Sequence, residues 1–435
     1  MNLPAKLPEH FLHWVWKNLC FDLRKLRTTT GLPIFIHQPG QSNPNQGPDF
    51  LNAELKIGHL KWVGHVEIHL SSQDWYAHRH DQDPHYDNTV LHVVWETNGK
   101  PVMRSDLTAI PEVAIGHLID PYLVTNFDRL TLSESQIACA SQLNRIPTAI
   151  TQGWLTRMGV ERLSEKVGKF QARLSDTHTN WEQVIWESMA YLMGGPVNGP
   201  AFLHLAQWLP YQIVRKYAHD QIILEALLFG GMGFCRGLTP SSNYEEMLLR
   251  NWTFLQHKHE FTEFQPFPLK YLRMRPAEFP TIRISQLAAI IHLFPRLSDG
   301  LTMGFQHEWE QAVIHASPYW QAHTRFGKSS KSRDKHLGAC KKQMIWINLW
   351  VPMMLIYQER RGEIDIRSWA VDNYSTLQPE SNRITRKFKQ LGIDIPDALS
   401  SQGAIQLYKS YCVPKHCLKC AIGHQLLRRT NPSKS

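Results

Sequence analysis

The sequence predicts an α/β amino-terminal domain, with a mixed central sheet flanked by helices, followed by a mainly α-helical region. Three patterns carry this reading. Apolar and polar residues alternate from Leu51 to Ile57, and Leu60, Trp62, Val66, Ile68 and Leu70 share one face opposite His65, Glu67 and His69; this is the period of strands. Thr89 to Trp95 is a β-prone run after a polar connection, Asp74 to Asn88. From about residue 125 the apolar period becomes helical. Taken in order, Phe11, Val15 and Leu19, with Leu12 and Trp16 beside them, make residues 8–20 an amphipathic helix. Leu32 to His37 is a short strand stopped by Pro39-Gly40, and Gly58-His59 turns a hairpin between the two alternating strands. Helices are expected at Trp154 to Leu174, Trp181 to Met193, Ala201 to His219 and Gln221 to Phe229. Others are expected at Ile284 to Leu293, His307 to Ala316, Gln343 to Tyr357 and Pro379 to Leu391. Gly327 to Lys335, basic and free of apolar residues, reads as an exposed linker.

At 435 residues the chain is too long for one ordinary core. The expected division is 1–125 for the α/β domain, 126–330 for a helical domain and 331–435 for a helical subdomain with a cysteine cluster. A formal net charge of +9 suits a polyanionic partner such as nucleic acid. Residues 1–30 lack the pattern of a secretory signal, and Met344 to Tyr357 is too short to span a bilayer and contains Asn348 and Pro352. A cytoplasmic protein without a membrane partner is expected. Seven cysteines scattered over the chain do not form a disulfide framework.

The chemistry concentrates between Gln46 and Glu96. Pro48-Asp49 precedes Glu67-Ile68-His69 by a hairpin, and strand parity puts Glu67 and His69 on one face. Two carboxylates on neighbouring strands suit a hard divalent cation able to drive phosphodiester hydrolysis. His78, His80 and His85, with Asp81, Asp83 and Asp87, form a second cluster of residue types that suit zinc or acid–base work. His92 lies on an apolar strand and reads as a hydrogen-bonded core residue, and Trp75 and Tyr76 read as packing residues.

This order of helix, strand, hairpin and strand, with Pro48-Asp49 and Glu67-Ile68-His69, resembles the restriction-endonuclease-like PD-(D/E)xK superfamily. The resemblance implies that Asp49 and Glu67 bind Mg²⁺ or Mn²⁺, and that His69 stands where a lysine is expected. Glu9 would match an acidic residue common in the first helix of that superfamily. A neutral histidine lacks the fixed charge of lysine, but it can orient or deprotonate water, or bind the metal.

Near the carboxy terminus, Cys412, Cys417 and Cys420 follow a C-x4-C-x2-C spacing that brings three thiolates within reach of one metal. Zinc or an iron–sulfur cluster is expected, with His416, His424, Cys235 or Cys340 as fourth ligand. Some nucleases that share the PD-(D/E)xK resemblance carry a cysteine-bound iron–sulfur staple.

Several segments together, among them GPDF-N, W-G-VEIH, DW-x2-H-x-H, YDN-x-V-LHVV, ILEALLFG, RP-x-EFP-x-IRISQ and CLKCAIG, resemble nearly end to end an uncharacterised bacterial family of unknown function. By that resemblance Asp49, Glu67, His69, His78, His80, Tyr86, Asn88 and Cys417 to Cys420 occupy recurrent positions, without implying an activity. Arg273, Arg275 and Arg283, and the stretch with Arg383, Arg386 and Lys387, are candidates for phosphate contacts or for solvated helix faces.

The expected function is a metal-dependent nuclease-like protein, with His78 or His80 protonating the leaving group or adding a ligand. A non-catalytic nucleic-acid-binding or scaffold protein is one alternative. A zinc hydrolase centred on His69, His78 and His80 is the second.

Overall fold

In a computed structural model that describes residues 7–261, 265–362 and 366–428, the chain divides into two units. One comprises the described residues of Met1–Trp154, Gln390–Ile393 and Leu407–Ser435, the other Leu155–Lys389 and Asp394–Gln406. This replaces three successive domains, because the last segment of the chain belongs with the first. Its Ala421–Leu427 helix sets His424 edge-on to Trp14, with ring centroids 5.1 Å apart. The Leu426 carbonyl accepts from Asn126 Nδ2 at 3.2 Å.

The first unit opens with α1 (Glu9–Lys17), whose Phe11, Leu12, Trp14, Val15 and Trp16 are buried. The strands β1 (Ile34–Gln38), β2 (Gln41–Ser42), β3 (Phe50–Ile57) and β4 (Leu60–Ser71) follow. A short helix α2 (Asp74–Ala77) and two 3₁₀ turns cross over to β5 (Thr89–Glu96). A small hairpin of β6 (Val102–Met103) and β7 (Ala109–Ile110) then leads to β8 (Glu112–Ala114) and helix α3 (Pro121–Thr131).

The main sheet runs β1-β3-β4-β5-β8, with β2 paired to β3. β3 is antiparallel to β1 and β4, whereas β5 is parallel to both β4 and β8. The alternation read from the sequence holds in β3 from Ala53, with Ala53, Leu55 and Ile57 buried, but at its start Phe50 rather than Leu51 is buried because the register shifts between Phe50 and Ala53. It breaks in the second half of β4, where Val66, Glu67, Ile68 and His69 are all buried. That is the burial of a strand flanked by two others and covered on both faces, and α1 packs against this strand.

Gly64 sits where β4 meets the start of β5. A Cβ there would lie 2.4 Å from Val90 Cγ1 and 2.6 Å from the Asn88 carbonyl oxygen. Gly64→Ala is expected to lower stability by about 1–3 kcal/mol, the usual range for overpacking. The shift would be read as the midpoint of chemical denaturation.

The second unit is helical around one apolar core that includes Trp186, Trp309, Trp320, Trp346 and Trp350. The expected helices from Trp181 and Ala201 are one element, Trp181–Trp208, broken at Gly195 with φ 65°. The expected Gln343 to Tyr357 helix is three consecutive pieces, Ala339–Ile345, a π-helical Trp346–Trp350 and Val351–Arg361. The Gly327 to Lys335 segment is exposed as expected from Gly327 to Asp334, with Ser330 half-buried, and departs from that reading only at its end. Lys328–Ser329 pairs with His323–Arg325, and Lys335 is buried, its Nζ donating to the Trp320 carbonyl and, at 2.6 Å, to that of His323. A lysine capping two main-chain carbonyls carries no apolar signature, so composition alone reads it as solvated. Arg273 and Arg275 are exposed, while Arg283 is partly buried and donates to Gln286 Oε1 at 2.9 Å.

Candidate metal centre

The two carboxylates are clasped by each other's strands. The Asp49 amide, just before β3, donates to Glu67 Oε2 at 3.0 Å. The Ile68 amide on β4 donates to Asp49 Oδ2 at 3.0 Å. Glu67 is 5% exposed and Asp49 is half-buried, so each carboxylate is held by the other's strand with little access to water. Burial first, and the Glu67 charge next, push the Asp49 carboxyl up to about 7. Adjacent buried carboxylates reach such a state when no cation neutralises them.

A helix residue joins them that the sequence did not single out. His13 is one turn after Glu9 on α1, and its Nε2 lies 3.5 Å from Glu9 Oε1 and 3.3 Å from Asp49 Oδ2. Burial would lower the His13 pKa, but the Glu9 and Asp49 carboxylates outweigh it and the net shift is upward. Glu9, His13 and Asp49 each present a ligand atom within 4.8 Å of the other two.

The histidines close the other side. On β4, His69 follows Glu67 by two residues and faces the same way. The α2 turn ends at His78, and Arg79, at φ 60°, swings the chain so that His80 returns to the same place. His80 is nearly buried, stacked on Tyr86 at 3.8 Å and edge-on to Trp75. His78 is exposed at the mouth. Ligand atoms of His69, His78 and His80 lie within 4.8 Å of one another. Glu67 Oε1 faces two of them, 3.6 Å from His69 Nε2 and 3.3 Å from His80 Nε2. The Glu67 carboxylate therefore stands between the two groups, one oxygen toward each.

His85 does not join them. It pairs with Asp83 at 2.7 Å on the surface, and Asp87 accepts from Ser105 Oγ at 2.6 Å. Tyr76 is exposed, and Trp75 is buried with its indole nitrogen donating to the Met103 carbonyl.

Behind His69 runs a relay laid out by the parallel register. Glu67 pairs with His92 on β5, and His92 with Glu112 on β8, so one row across three strands carries all three. His69 Nδ1 lies 2.9 Å from His92 Nε2, and His92 Nδ1 lies 3.0 Å from Glu112 Oε2. Burial would raise the Glu112 pKa, but hydrogen bonds from His92, Thr97 and Ser72 bring it below the ordinary value. An ionised Glu112 only accepts, so His92 Nδ1 carries the proton toward it. With one proton per ring, His69 Nδ1–H then donates to His92 Nε2, and the His69 Nε2 lone pair faces the site, 3.1 Å from His78 Nδ1. The partners, not observed hydrogens, fix this assignment.

Burial, followed by the neighbouring His92, His80 and His78, lowers His69 to about 2. His69 is thus neutral at any physiological pH and a ready ligand. Carboxylate-backed histidines of this kind orient metal ligands. Glu112→Gln is expected to weaken metal affinity about 10–100-fold while leaving the fold intact, as isothermal titration with Zn²⁺ and Mn²⁺ would show.

The three C-terminal cysteines also come together. Cys412, Cys417 and Cys420 line a cavity of about 20 Å³ with Cys139, which lies between α3 and the next helix. None of the expected fourth ligands lines this cavity. His416 Nδ1 is 3.1 Å from the Ser410 carbonyl, His424 packs on Trp14, and Cys235 and Cys340 belong to the other unit. A larger cleft, of about 380 Å³ and lined by Asn18, Asp120 and Arg428 among others, shares no residue with either group.

Fold and site define a class: a mixed-sheet α/β unit bearing a buried carboxylate–histidine cluster, joined to a helical unit. Within that class the chain belongs to the family described as Protein of unknown function (DUF2851), whose model matches residues 9–383. The match spans Asp49, Glu67 and the histidines and ends before Cys412. Comparison with curated proteins and with solved structures gave no match. Among the described residues no helix is long and apolar enough to cross a membrane.

Proposed function

We propose that the protein is a metal-dependent hydrolase of nucleic-acid phosphodiesters, with its ion held by Asp49 and Glu67. The observation that carries this is the reciprocal clasp, which ties the buried Glu67 and the half-buried Asp49 to each other's strands beside a group of histidines. Such a pair is relieved by a divalent cation, which would activate water and stabilise charge on the scissile phosphate. The element order α1, β1, β3, β4, α2, β5 supports a restriction-endonuclease-like reading of the sheet unit. His69 replaces the expected lysine as a neutral group that orients water or ligates the ion. His78, exposed at the mouth, is placed to meet the leaving group. The net charge of +9 favours a polyanionic substrate.

A second reading rests on its own observation. His69, His78 and His80 converge as a group that does not include Asp49, and three imidazoles with Glu67 Oε1 suit zinc rather than magnesium. One panel separates the two: purified protein with single- and double-stranded DNA and RNA, supplied with Mg²⁺, Mn²⁺ or Zn²⁺. Cleavage with Mg²⁺ or Mn²⁺ supports the carboxylate-held ion. Cleavage with Zn²⁺ alone, lost in His78→Ala but not in Asp49→Ala, supports the histidine site. Binding without cleavage under every metal would leave a nucleic-acid-binding protein.

A further inference from the structure

We propose a second, independent metal centre in the same unit, built from four thiolates: Cys139, Cys412, Cys417 and Cys420. None of the seven cysteines is in a disulfide. Four of them nevertheless line one small cavity, although Cys139 is far from the others in sequence. A chance packing of thiols predicts scatter; convergence of four from two distant segments does not follow from it.

The backbone is arranged to allow the convergence. A π-helical turn, Leu407–Cys412, delivers Cys412, Lys415 takes φ 56°, and a 3₁₀ turn, Cys417–Lys419, leads into the Ala421–Leu427 helix. Lys415 Nζ ties this loop to the carbonyls of Thr131 and Ser133, just ahead of Cys139. Gly423 lets the helix sit on the Cys417 turn, since a Cβ there would lie 2.1 Å from the Cys417 carbonyl oxygen. Trp154 closes the region, edge-on to Tyr411 at 5.7 Å.

The shared chemistry is that of a soft ion with four sulfur ligands, either zinc or the irons of an iron–sulfur cluster. At zinc–sulfur bonds of about 2.3 Å the sulfurs of a tetrahedral site stand about 3.8 Å apart. Among the described residues no three of these sulfurs are within 4.8 Å of one another, so binding either group would draw the side chains inward. In either case the centre staples the segment after α3 to the end of the chain and closes a loop of more than 250 residues (412 − 139 = 273).

The test uses the full chain, purified once in air and once anaerobically, with zinc, iron and acid-labile sulfide measured per chain. About one zinc, or iron with sulfide and absorbance near 400 nm, is expected, and the two results assign the ion. Cys139→Ser is expected to lower the bound metal at least about tenfold and the thermal midpoint by several degrees; Cys340→Ser should change neither. Since Cys139→Ser is able to disturb packing by itself, Co²⁺ reconstitution supplies a second readout. The parent should show thiolate-to-cobalt charge-transfer bands that weaken in Cys139→Ser while its far-ultraviolet dichroism remains that of the parent. A parent that takes up no zinc, iron or cobalt, or a Cys139→Ser protein with undiminished metal, overturns the proposal. Neither outcome depends on the hydrolase reading.

Discussion

Replacing Glu67 by alanine is expected to abolish hydrolysis, lowering kcat by about 10³-fold or more, the scale seen when a principal charge-stabilising group is removed. Glu67 bridges the Asp49 side of the site and two of its histidines. Its Oε2 receives the Asp49 amide, and its Oε1 faces His69 and His80. Both readings of the ion therefore lose their central ligand, and Mn²⁺ and Zn²⁺ titrations should weaken together. The fold should survive, because the change removes a buried charge that Asp49 repels, at the cost of one unsatisfied amide, about 1–3 kcal/mol. The measurement is single-turnover cleavage beside thermal unfolding. A variant that folds and cleaves at the parental rate would remove the metal centre from the mechanism altogether.

The sequence made some of this site legible and hid the rest for definite reasons. Alternation located β3 and β4, and parity placed Glu67 and His69 on one face, because both are local properties of a strand. The same pattern does not tell that β5 lies parallel beside β4 or that α1 and α2 pack against that strand, so a face that reads as solvated is buried. Glu112 was invisible for a related reason. It reaches His92 only through the register of β5 with β8, and a lone glutamate in Pro111-Glu112-Val113 has no signature of its own. His13 had a signal, its spacing of four from Glu9 on a helix, but nothing local tied that helix face to Asp49. Cys139 is separated from its partners by the entire helical unit. Local periodicity finds strands and motifs; it does not find what the returning end of the chain brings to them.

The His78 and His80 cluster was half legible. The His-x-His spacing marked both residues, but on a regular strand they would point the same way only by parity. Here the left-handed Arg79 makes the turn that aims both at His69. His85, equally prominent in the sequence, is drawn off by Asp83 two residues before it. Competition from the nearest carboxylate decided which histidines joined.

Asp49→Asn is expected to stabilise the metal-free protein above neutral pH while removing its response to Mn²⁺. In the fold the Asp49 carboxyl is held at about 7 by burial and by Glu67, against about 3.9 in an unfolded chain. Between those values the folded state keeps a proton that the unfolded chain has released. The stability this supplies is present at low pH and is lost as the pH rises through 7. The interval corresponds to about 4 kcal/mol. His13, raised by Glu9 and Asp49, acts in the same direction, since its contribution also fades as it loses its proton. Asparagine carries no charge at any pH and still offers an oxygen to the Ile68 amide. The variant should therefore match the parent near pH 5 and exceed it by about 1–2 kcal/mol near pH 8, a part of that interval. Adding Mn²⁺ should reverse the order, because an ion that binds only the folded parent stabilises it by mass action. Denaturation at pH 5, 6.5 and 8, with and without Mn²⁺, reads all of this. A parent whose stability is flat across the range would show that the clasp holds no strained pair. An Asn variant that loses its Mn²⁺ response but keeps that to Zn²⁺ would assign Mn²⁺ to the carboxylates and Zn²⁺ to the three histidines; one that keeps both responses would take Asp49 out of the ion's ligand set.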